Sequence, residues 1–362
     1  MAGRGNRYGY QEYRGRSGAR PVLIFIIVLL AVLLIAGLAF MFLMGDNIKH
    51  TDTGIEIDWP WLSDSATAPP IESDPVVIVT DDVVVTIQPT MEPTPTPAPQ
   101  PQYDPIQAVT VTAEQLRSGR AAQAVADAGG SALVVEMKAD DGQLAWQTRS
   151  EMAASLWANA SDDRTAQAIR DLAAAGDIYL VARVHCFKDP GLARARIGSL
   201  MTLRGNVWYD RVGVCWTSPA NQQVVDYLSE LCLELADMGF DEILLDDAGY
   251  PWDGEVNVLA TSDNRPEDRT VPVAAFYARL AGELEEKGVC LSVYASEQLL
   301  PGETVYTGMT AAVLAGNAGR VWLDKRVDAE HYRSILTAAG MDDIAARVVA
   351  PADAAGGGSW YR

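Results

Sequence analysis

Positive charge is scarce in this chain of 362 residues, which carries 28 lysine and arginine residues against 48 aspartate and glutamate residues. The formal net charge is −20, and only the first 44 residues are basic on balance. A strongly acidic surface repels phosphate backbones, so we expect no nucleic acid partner. Neutral ligands, including many sugars, remain compatible with this charge.

Cysteine and histidine are also few, with four and three residues respectively. The cysteine spacing fits no zinc-binding pattern, and the histidines are scattered along the chain. The four cysteines allow three disulfide pairings, but their apolar surroundings are equally compatible with buried free thiols. No Gly-x-Gly-x-x-Gly follows the first predicted strand, and no Gly-x-Ser-x-Gly is present. We therefore expect neither a metal nor a cofactor.

Residues 22–44 form an unbroken apolar run of 23 residues. As a helix with a rise of about 1.5 Å per residue, this run is long enough to cross a hydrocarbon core of roughly 30 Å. It is too long for a cleaved signal peptide and lacks a small-residue cleavage site. Because arginines precede it in residues 1–21 and acidic residues follow it, we predict a cytoplasmic tail and a single-pass anchor in the lipid bilayer. Everything after residue 44 would then be extracellular, at the cell membrane.

Residues 45–104 are acidic and rich in proline and threonine, and they run into the stretch "PTMEPTPTPAPQPQYDP" from Pro89 to Pro105. Proline lacks a backbone N–H and favours an extended conformation over helix or sheet interior. We interpret this segment as an extracellular stalk.

From residue 105 to residue 362, strand-like and helix-like patterns alternate. Apolar, β-rich runs cover 108–113, 132–138, 178–187, 241–247, 289–295, 320–324 and 346–353. The helix between the third and fourth runs is predicted to start at Ser218-Pro219 and to stop at Gly239. Such alternation indicates a parallel sheet, and seven or eight units in about 250 residues favour a (β/α)8 TIM-like barrel over an open sheet.

Active groups of parallel barrels lie at the carboxyl ends of the strands and in the loops that follow. The stretch "GFDEILLDDAGYPWDG" places Glu242, Leu244 and Asp246 on one face of a strand, because side chains alternate. We expect that face to point into the barrel, with Asp246 at the mouth. Carboxylates beside aromatic rings suggest glycoside chemistry, in which one acid is nucleophile or base and another protonates the leaving oxygen. The structural alternative is that acids at strand ends only cap helices or pair with Lys and Arg. The tryptophans would then only fill the core.

Several blocks resemble the bacterial "putative glycosyl-hydrolase" domain family of unknown function. They include "VVEMKADDGQLAW", "IYLVARVHCFKDPGLARAR" and "VWYDRVGVCWTSPANQQVVDYLSELCLELADMGFDEILLDDAGYP". The resemblance implies a TIM barrel similar to α-amylase-type glycosidases, with Asp246 as the candidate nucleophile. The chain departs from the family pattern at Asp247 and Gly249, where the family has Tyr and Arg, and at Tyr294, where the family tends to have Asp. Glu297 is the nearest acid to that last position.

Taken together, the sequence predicts a membrane-anchored extracellular glycoside-hydrolase-like barrel that acts on a cell-wall or secreted polysaccharide or oligosaccharide. The predicted catalytic residues are Asp246 as nucleophile or base, with Glu297 or Asp324 as the acid. The predicted substrate-binding residues are Glu136, Lys138, Asp141, Arg183, Lys188, Asp189, Trp208, Trp216, Asp247, Tyr250 and Trp252. The alternative is a degenerate barrel that binds glycan, or an envelope protein, without hydrolysis.

Overall fold

The computed structural model describes residues 48–51, 54–57, 103–260, 269–296 and 307–362. The chain divides into two compact units, Met1–Thr96 and Pro97–Arg362. In the first unit, strands β1 (Ile48–Thr51) and β2 (Gly54–Ile57) form an antiparallel pair, which the proline-rich pattern did not predict. The predicted tail, the predicted anchor at 22–44 and the predicted stalk, apart from these two strands and residues 103–104, lie outside the described residues. Within the described ranges, no helix has the length and apolar character needed to cross a membrane.

The second unit is a closed barrel of eight parallel strands, as the alternating pattern predicted. Around the barrel the order is β10, β3, β4, β5, β6, β7, β8 and β9, so the last strand lies between the first and the seventh. The strands are β3 (Gln107–Thr110), β4 (Ala132–Lys138), β5 (Tyr179–His185), β6 (Glu242–Asp246), β7 (Cys290–Ala295), β8 (Arg320–Leu323), β9 (Val348–Pro351) and β10 (Trp360–Tyr361).

Helices cover the outside of this barrel and bury one apolar face each against it. They are α1 (Ala113–Arg117), α2 (Ala121–Asp127), α3 (Glu151–Ser155), α4 (Arg164–Ala175), α5 (Pro190–Arg194), α6 (Gln222–Met238), α7 (Thr270–Glu285), α8 (Ala311–Asn317), α9 (Ala329–Ala338) and α10 (Ile344–Arg347). Between β9 and β10 the described residues form turns and no helix. The connection between β9 and β10 is therefore shorter than those between the other consecutive strands of the barrel.

Helix α6 begins later than the sequence predicted. Its N-cap is Asn221, whose side chain accepts a hydrogen bond from the backbone N–H of Val224, so the prediction of Ser218 as cap was wrong. The Ser218 hydroxyl instead accepts a bond from the N–H of Ala220, inside the turn that precedes the helix. The helix ends as predicted at Gly239, where φ is +108°, a left-handed value that glycine adopts without strain.

The face of β6 that points into the barrel was also predicted correctly. Leu244 packs inside the barrel, and Glu242 is fully buried below it, near the amino ends of the strands. The Glu242 carboxylate accepts hydrogen bonds from Arg320 Nη1 at 2.6 Å, Trp322 Nε1 at 2.8 Å and Ser292 Oγ at 2.5 Å. A buried carboxylate is tolerated only when it is paired and hydrogen-bonded, and this one is both.

The four cysteines are free thiols, which decides between the two possibilities that their spacing left open. Three of them, Cys186, Cys215 and Cys232, are buried in the main apolar core or beside it. Burial raises the pKa of Cys186 and Cys232, so both stay protonated and unreactive. Their role in the fold is that of small apolar side chains.

Candidate active site

The carboxyl ends of β5 and β6 bring together a carboxylate and a guanidinium at the barrel mouth. Asp246 is the last residue of β6, and it lies opposite His185, the last residue of β5. Arg183 Nε donates to Asp246 Oδ2 at 2.9 Å, and Arg183 Nη2 donates to the same oxygen. The other oxygen, Oδ1, accepts the backbone N–H of Asp247 at 2.7 Å. Asp246 is thus held in a fixed orientation beside a guanidinium.

Asp247 has an unusual backbone conformation that explains why two consecutive acids both reach the mouth. Its φ is +47°, in the left-handed region that non-glycine residues rarely adopt. In a regular strand Asp247 would point away from Asp246, but this turn brings both side chains to the same cavity. Burial raises the pKa of the Asp247 carboxyl, against a smaller opposite effect of its hydrogen bond with His185.

His185 lies among three carboxylates. Its Nδ1 is 2.7 Å from Asp247 Oδ2, and its Nε2 is 3.3 Å from Glu136 Oε2 and 3.8 Å from Asp246 Oδ2. Burial disfavours the charged ring, but the bonds to Asp247 and Glu136 and the charge of Asp246 outweigh it and raise the pKa of His185 to about 9. At neutral pH the ring is therefore an imidazolium that donates from both nitrogens.

A cavity of about 160 Å³ opens beside Asp246 and Asp247. Its aromatic walls are Trp216, Tyr250, Trp252 and Tyr294, and Asp324 and Arg326 close it on the side of β8. Of these rings, Trp252 is 45% exposed, whereas Trp216 and Tyr250 are buried. The cavity therefore combines carboxylates with aromatic faces, as the sequence predicted.

Asp324 is already bound on both oxygens. Arg326 Nε and Arg326 N donate to its Oδ1 at 2.9 and 2.8 Å, and the Tyr294 hydroxyl donates to its Oδ2 at 3.0 Å. Burial alone would raise the pKa of Asp324, but the hydrogen bonds from Arg326 and Tyr294 outweigh it and hold the pKa below its usual value. A carboxyl with a lowered pKa is a poor proton donor, so this geometry does not support the predicted role of Asp324 as the acid.

Lys138 and Asp189, both predicted to bind substrate, form an ion pair beneath the mouth instead. The Lys138 ammonium is 2.9 Å from Asp189 Oδ2, and the two side chains are 0% and 2% exposed. Lys138 Nζ also donates to the backbone carbonyl of His185 at 2.8 Å. Gly142 closes over the pair, because a Cβ there would lie 2.6 Å from Asp189 Oδ1. The pair supports the position of His185 and does not touch the cavity.

The remaining predicted residues lie around the mouth with different partners. Lys188 pairs with Asp140 at 2.6 Å, and Asp141 is an exposed turn residue whose Oδ1 accepts the Gln143 N–H at 2.9 Å. Trp208 is 2% exposed, and its Nε1 donates to the carbonyl of Glu255 at 3.0 Å. The prediction for Glu297 falls outside the described residues.

His185, Asp246 and Asp247 also place one possible metal-ligating atom each within 4.8 Å of one another. Arg183 donates twice to Asp246 Oδ2, so that oxygen already has a cationic partner. This arrangement favours a carboxylate held by a guanidinium over one that coordinates a metal ion.

A larger cavity of about 710 Å³ lies at the opposite end of the barrel. Its walls include Asp241 and Cys290, at the amino ends of β6 and β7, and Arg320, which is already paired with Glu242. Active groups of parallel barrels gather at the carboxyl ends of the strands. We therefore place the candidate active site at the smaller cavity.

Sequence reasoning missed two charged residues of this site. His185 was not among the predicted site residues, although its position two residues after Arg183 on the same strand places both on one face. Arg326 was not among them either, although it follows Asp324 by two residues. Arg326 would have been found by asking which cations lie within two positions of a predicted strand-end acid.

The charge on His185 predicts a pH dependence of stability. Because its folded pKa of about 9 lies above the ordinary value of 6.5, its contribution is complete below pH 6.5 and is lost as the pH rises through 9. The expected loss is on the order of 3 kcal/mol of unfolding free energy. Denaturant titrations at pH 6.5 and pH 9.5 should show this fall in the wild type. A His185→Gln variant should lose much less unfolding free energy between these two pH values. An equal loss in both proteins would contradict the raised pKa of His185.

The fold and the site together define the class of protein: a closed parallel barrel whose carboxylates meet at the carboxyl ends of its strands. Within that class, the chain belongs to the family described as "Putative glycosyl hydrolase domain", whose sequence profile matches residues 107–299. The matched region runs from β3 through β7 and contains Arg183, His185 and Asp246. It confirms the family resemblance seen in the sequence. The comparison with curated proteins finds no match.

Several solved structures are similar to this chain. A hypothetical protein from Ruminiclostridium thermocellum is 24% identical over 51% of this chain and 96% of its own, with a TM-score of 0.45. A class V chitinase from Pseudomonas fluorescens is 14% identical over 68% of this chain and 67% of its own, with a TM-score of 0.42. A GH20 β-N-acetylhexosaminidase from Streptomyces coelicolor is 10% identical over 69% of this chain and 48% of its own, with a TM-score of 0.42.

Proposed function

We propose that this protein hydrolyses glycosidic bonds, with Asp246 as nucleophile or general base. The observation that carries the proposal is the fixed carboxyl group of Asp246, paired with Arg183 and facing a cavity lined by aromatic rings. Aromatic faces bind sugar rings, and a positioned carboxylate either attacks the anomeric carbon or activates a water. Family membership supports the same reaction class.

The proton that the leaving oxygen needs is assigned to the pair of Asp247 and His185. The two residues are joined by a hydrogen bond of 2.7 Å, and the pKa of each is raised above its ordinary value. Such a pair holds a proton at neutral pH, and its Asp247 member lines the same cavity as Asp246. The bond that breaks is the glycosidic C–O bond, and the sugar oxygen that leaves takes this proton.

For the location, we propose that residues 22–44 anchor the chain in the cell membrane and that the barrel acts outside it on a cell-wall or secreted polysaccharide. The apolar length of that run and the arginines before it support this arrangement. The acidic balance of the rest of the chain supports a neutral glycan over an anionic polymer.

The test is the release of reducing ends by the full chain from a panel of envelope polysaccharides, with the Asp246→Asn variant as the blank. Release by the wild type alone supports the proposal. Retention of a polysaccharide without release by either protein would instead support the second candidate, a barrel that binds glycan without cleaving it. The occupied state of Asp324, which removes one expected acid from the site, is the observation that favours this second candidate.

A further inference from the structure

A second concave surface lies beside the active-site cavity. It has a volume of about 500 Å³, roughly three times that of the cavity next to Asp246. We call it the distal cleft and define it by Thr202, Trp208, Tyr209, Asp210, Arg211 and Glu255. These residues come from the long β5–α6 loop and from the β6–α7 loop.

The distal cleft and the active-site cavity share a wall. Trp216 lines the active-site cavity, and its Nε1 donates at 3.1 Å to Oδ2 of Asp210, which lines the distal cleft. A second link joins Asp253, the neighbour of Trp252, to Arg211 through an ion pair of 2.8 Å. The active-site cavity and the distal cleft are therefore adjacent on both the Trp216 side and the Trp252 side.

The backbone of the distal cleft is fixed before any ligand arrives. Within the β5–α6 loop, antiparallel bridges join Met201 to Val207 and Tyr209 to Cys215, and a third joins Thr202 to Leu259 of the next loop. The floor is the buried ring of Trp208, whose Nε1 donates to the Glu255 carbonyl at 3.0 Å. Preorganisation of this kind lowers the entropic cost of binding an extended ligand.

The surface chemistry of the cleft suits sugars. Tyr209 is 50% exposed. The same cleft is lined by carboxylate, guanidinium and hydroxyl groups that can bond to sugar hydroxyls. The active-site cavity, at about 160 Å³, is smaller than the roughly 300–1,000 Å³ typical of ligand pockets. On its own it has room for little more than one sugar ring.

We propose that the distal cleft binds the sugar units next to the one held at Asp246, so that the substrate is a glycan chain of several units and not a disaccharide. This inference rests on the proposed function, because it assigns neighbouring subsites to the same reaction. Tyr209 is the residue on which an outer sugar stacks.

The test measures binding by calorimetry to the full chain carrying Asp246→Asn, which separates affinity from turnover. The probes are malto-, cello- and chito-oligosaccharides of one to six units. In at least one series, the affinity should rise about tenfold or more between two and five units. Adding Tyr209→Ala should remove about three- to tenfold of that gain, as expected for the loss of one stacking ring, whereas Tyr209→Phe should retain it. Trp157→Ala removes a ring that is 87% exposed outside both cavities and should change nothing.

The outcomes separate this inference from the proposed function. Length-dependent binding that falls with Tyr209→Ala supports the distal cleft even if the wild type cleaves nothing. Cleavage of short aryl glycosides together with affinity that is flat with length overturns the distal cleft and leaves the hydrolase proposal standing. Equal effects of Tyr209→Ala and Trp157→Ala, or no binding in any of the three series, also overturn it.

Discussion

Replacing Asp246 by Asn is expected to lower the rate of glycan hydrolysis by about 10³-fold or more, with little change in thermal stability. The amide keeps an oxygen that accepts the Asp247 N–H, but it can neither attack an anomeric carbon nor take a proton from water. The Arg183 side chain loses its ionic partner, yet it is 31% exposed and can turn toward solvent, so the cost to folding is small. Initial rates of reducing-end release and thermal unfolding curves check both parts.

The matched control is Asp241→Asn, which removes a carboxylate just before the other end of β6. Asp241 is exposed, and its side chain accepts the Leu180 N–H at 2.8 Å, far from the mouth. The Asp241→Asn variant should hydrolyse glycan at the rate of the wild type. If Asp246→Asn retained more than about a tenth of the wild-type rate, Asp246 would not be the nucleophile or base of this reaction.

Lys138→Met is expected to destabilise the barrel by about 3–5 kcal/mol, because it leaves the buried Asp189 carboxylate without a counter-ion. It also removes the donor that holds the His185 carbonyl. Denaturant-induced unfolding of the full chain, followed by tryptophan fluorescence, measures the change. The exposed pair of Lys287 and Asp237 is the control, since Lys287→Met should cost less than about 1 kcal/mol.

A double variant shows how much of this loss is the uncompensated charge. Lys138→Met with Asp189→Asn removes both charges, while Asn remains a good N-cap for α5, whose first turn Asp189 now caps. We expect the double variant to be more stable than Lys138→Met alone. The comparison also needs Asp189→Asn alone. If the loss of stability in the double variant equalled the sum of the losses in the two single variants, the pair would contribute through packing and hydrogen bonds and not through its charges.

The barrel was predictable because its strands are apolar runs bounded by turns, and their alternation with helices leaves few topologies. The position of Asp246 followed from side-chain alternation along β6, which a fully buried strand obeys. Strand β10 was not predicted, because Trp360 and Tyr361 form too short a run to be recognised by period. Ser218 was mistaken for a cap because Ser-Pro is a strong local signal, whereas the turn that delays α6 depends on contacts with the loop before it, such as the bond from the Ser218 N–H to the Gly198 carbonyl.

The polar contacts of the mouth were harder to predict than its position. Lys138 ends strand β4 and Asp189 caps helix α5, and only the closed barrel shows that they pair with each other below the cavity. The charge on His185 likewise depends on carboxylates from two other places in the chain, brought together by closure. Local pattern can therefore locate the acids, but it cannot tell which of them face a ligand and which only support the fold.

The place of β10 in the barrel has a consequence for biosynthesis. The Ile106 N–H bonds to the Ser359 hydroxyl, which lies 253 positions later in the chain, and β3 pairs with Trp360 and Tyr361. On the ribosome, β3 is the first strand of the barrel to emerge. One of its hydrogen-bonding edges stays unpaired until nearly the whole barrel has been synthesised. Contacts of such long sequence separation slow folding, and an open edge invites pairing with other chains. The barrel therefore closes its last open edge only when its final strand completes the ring.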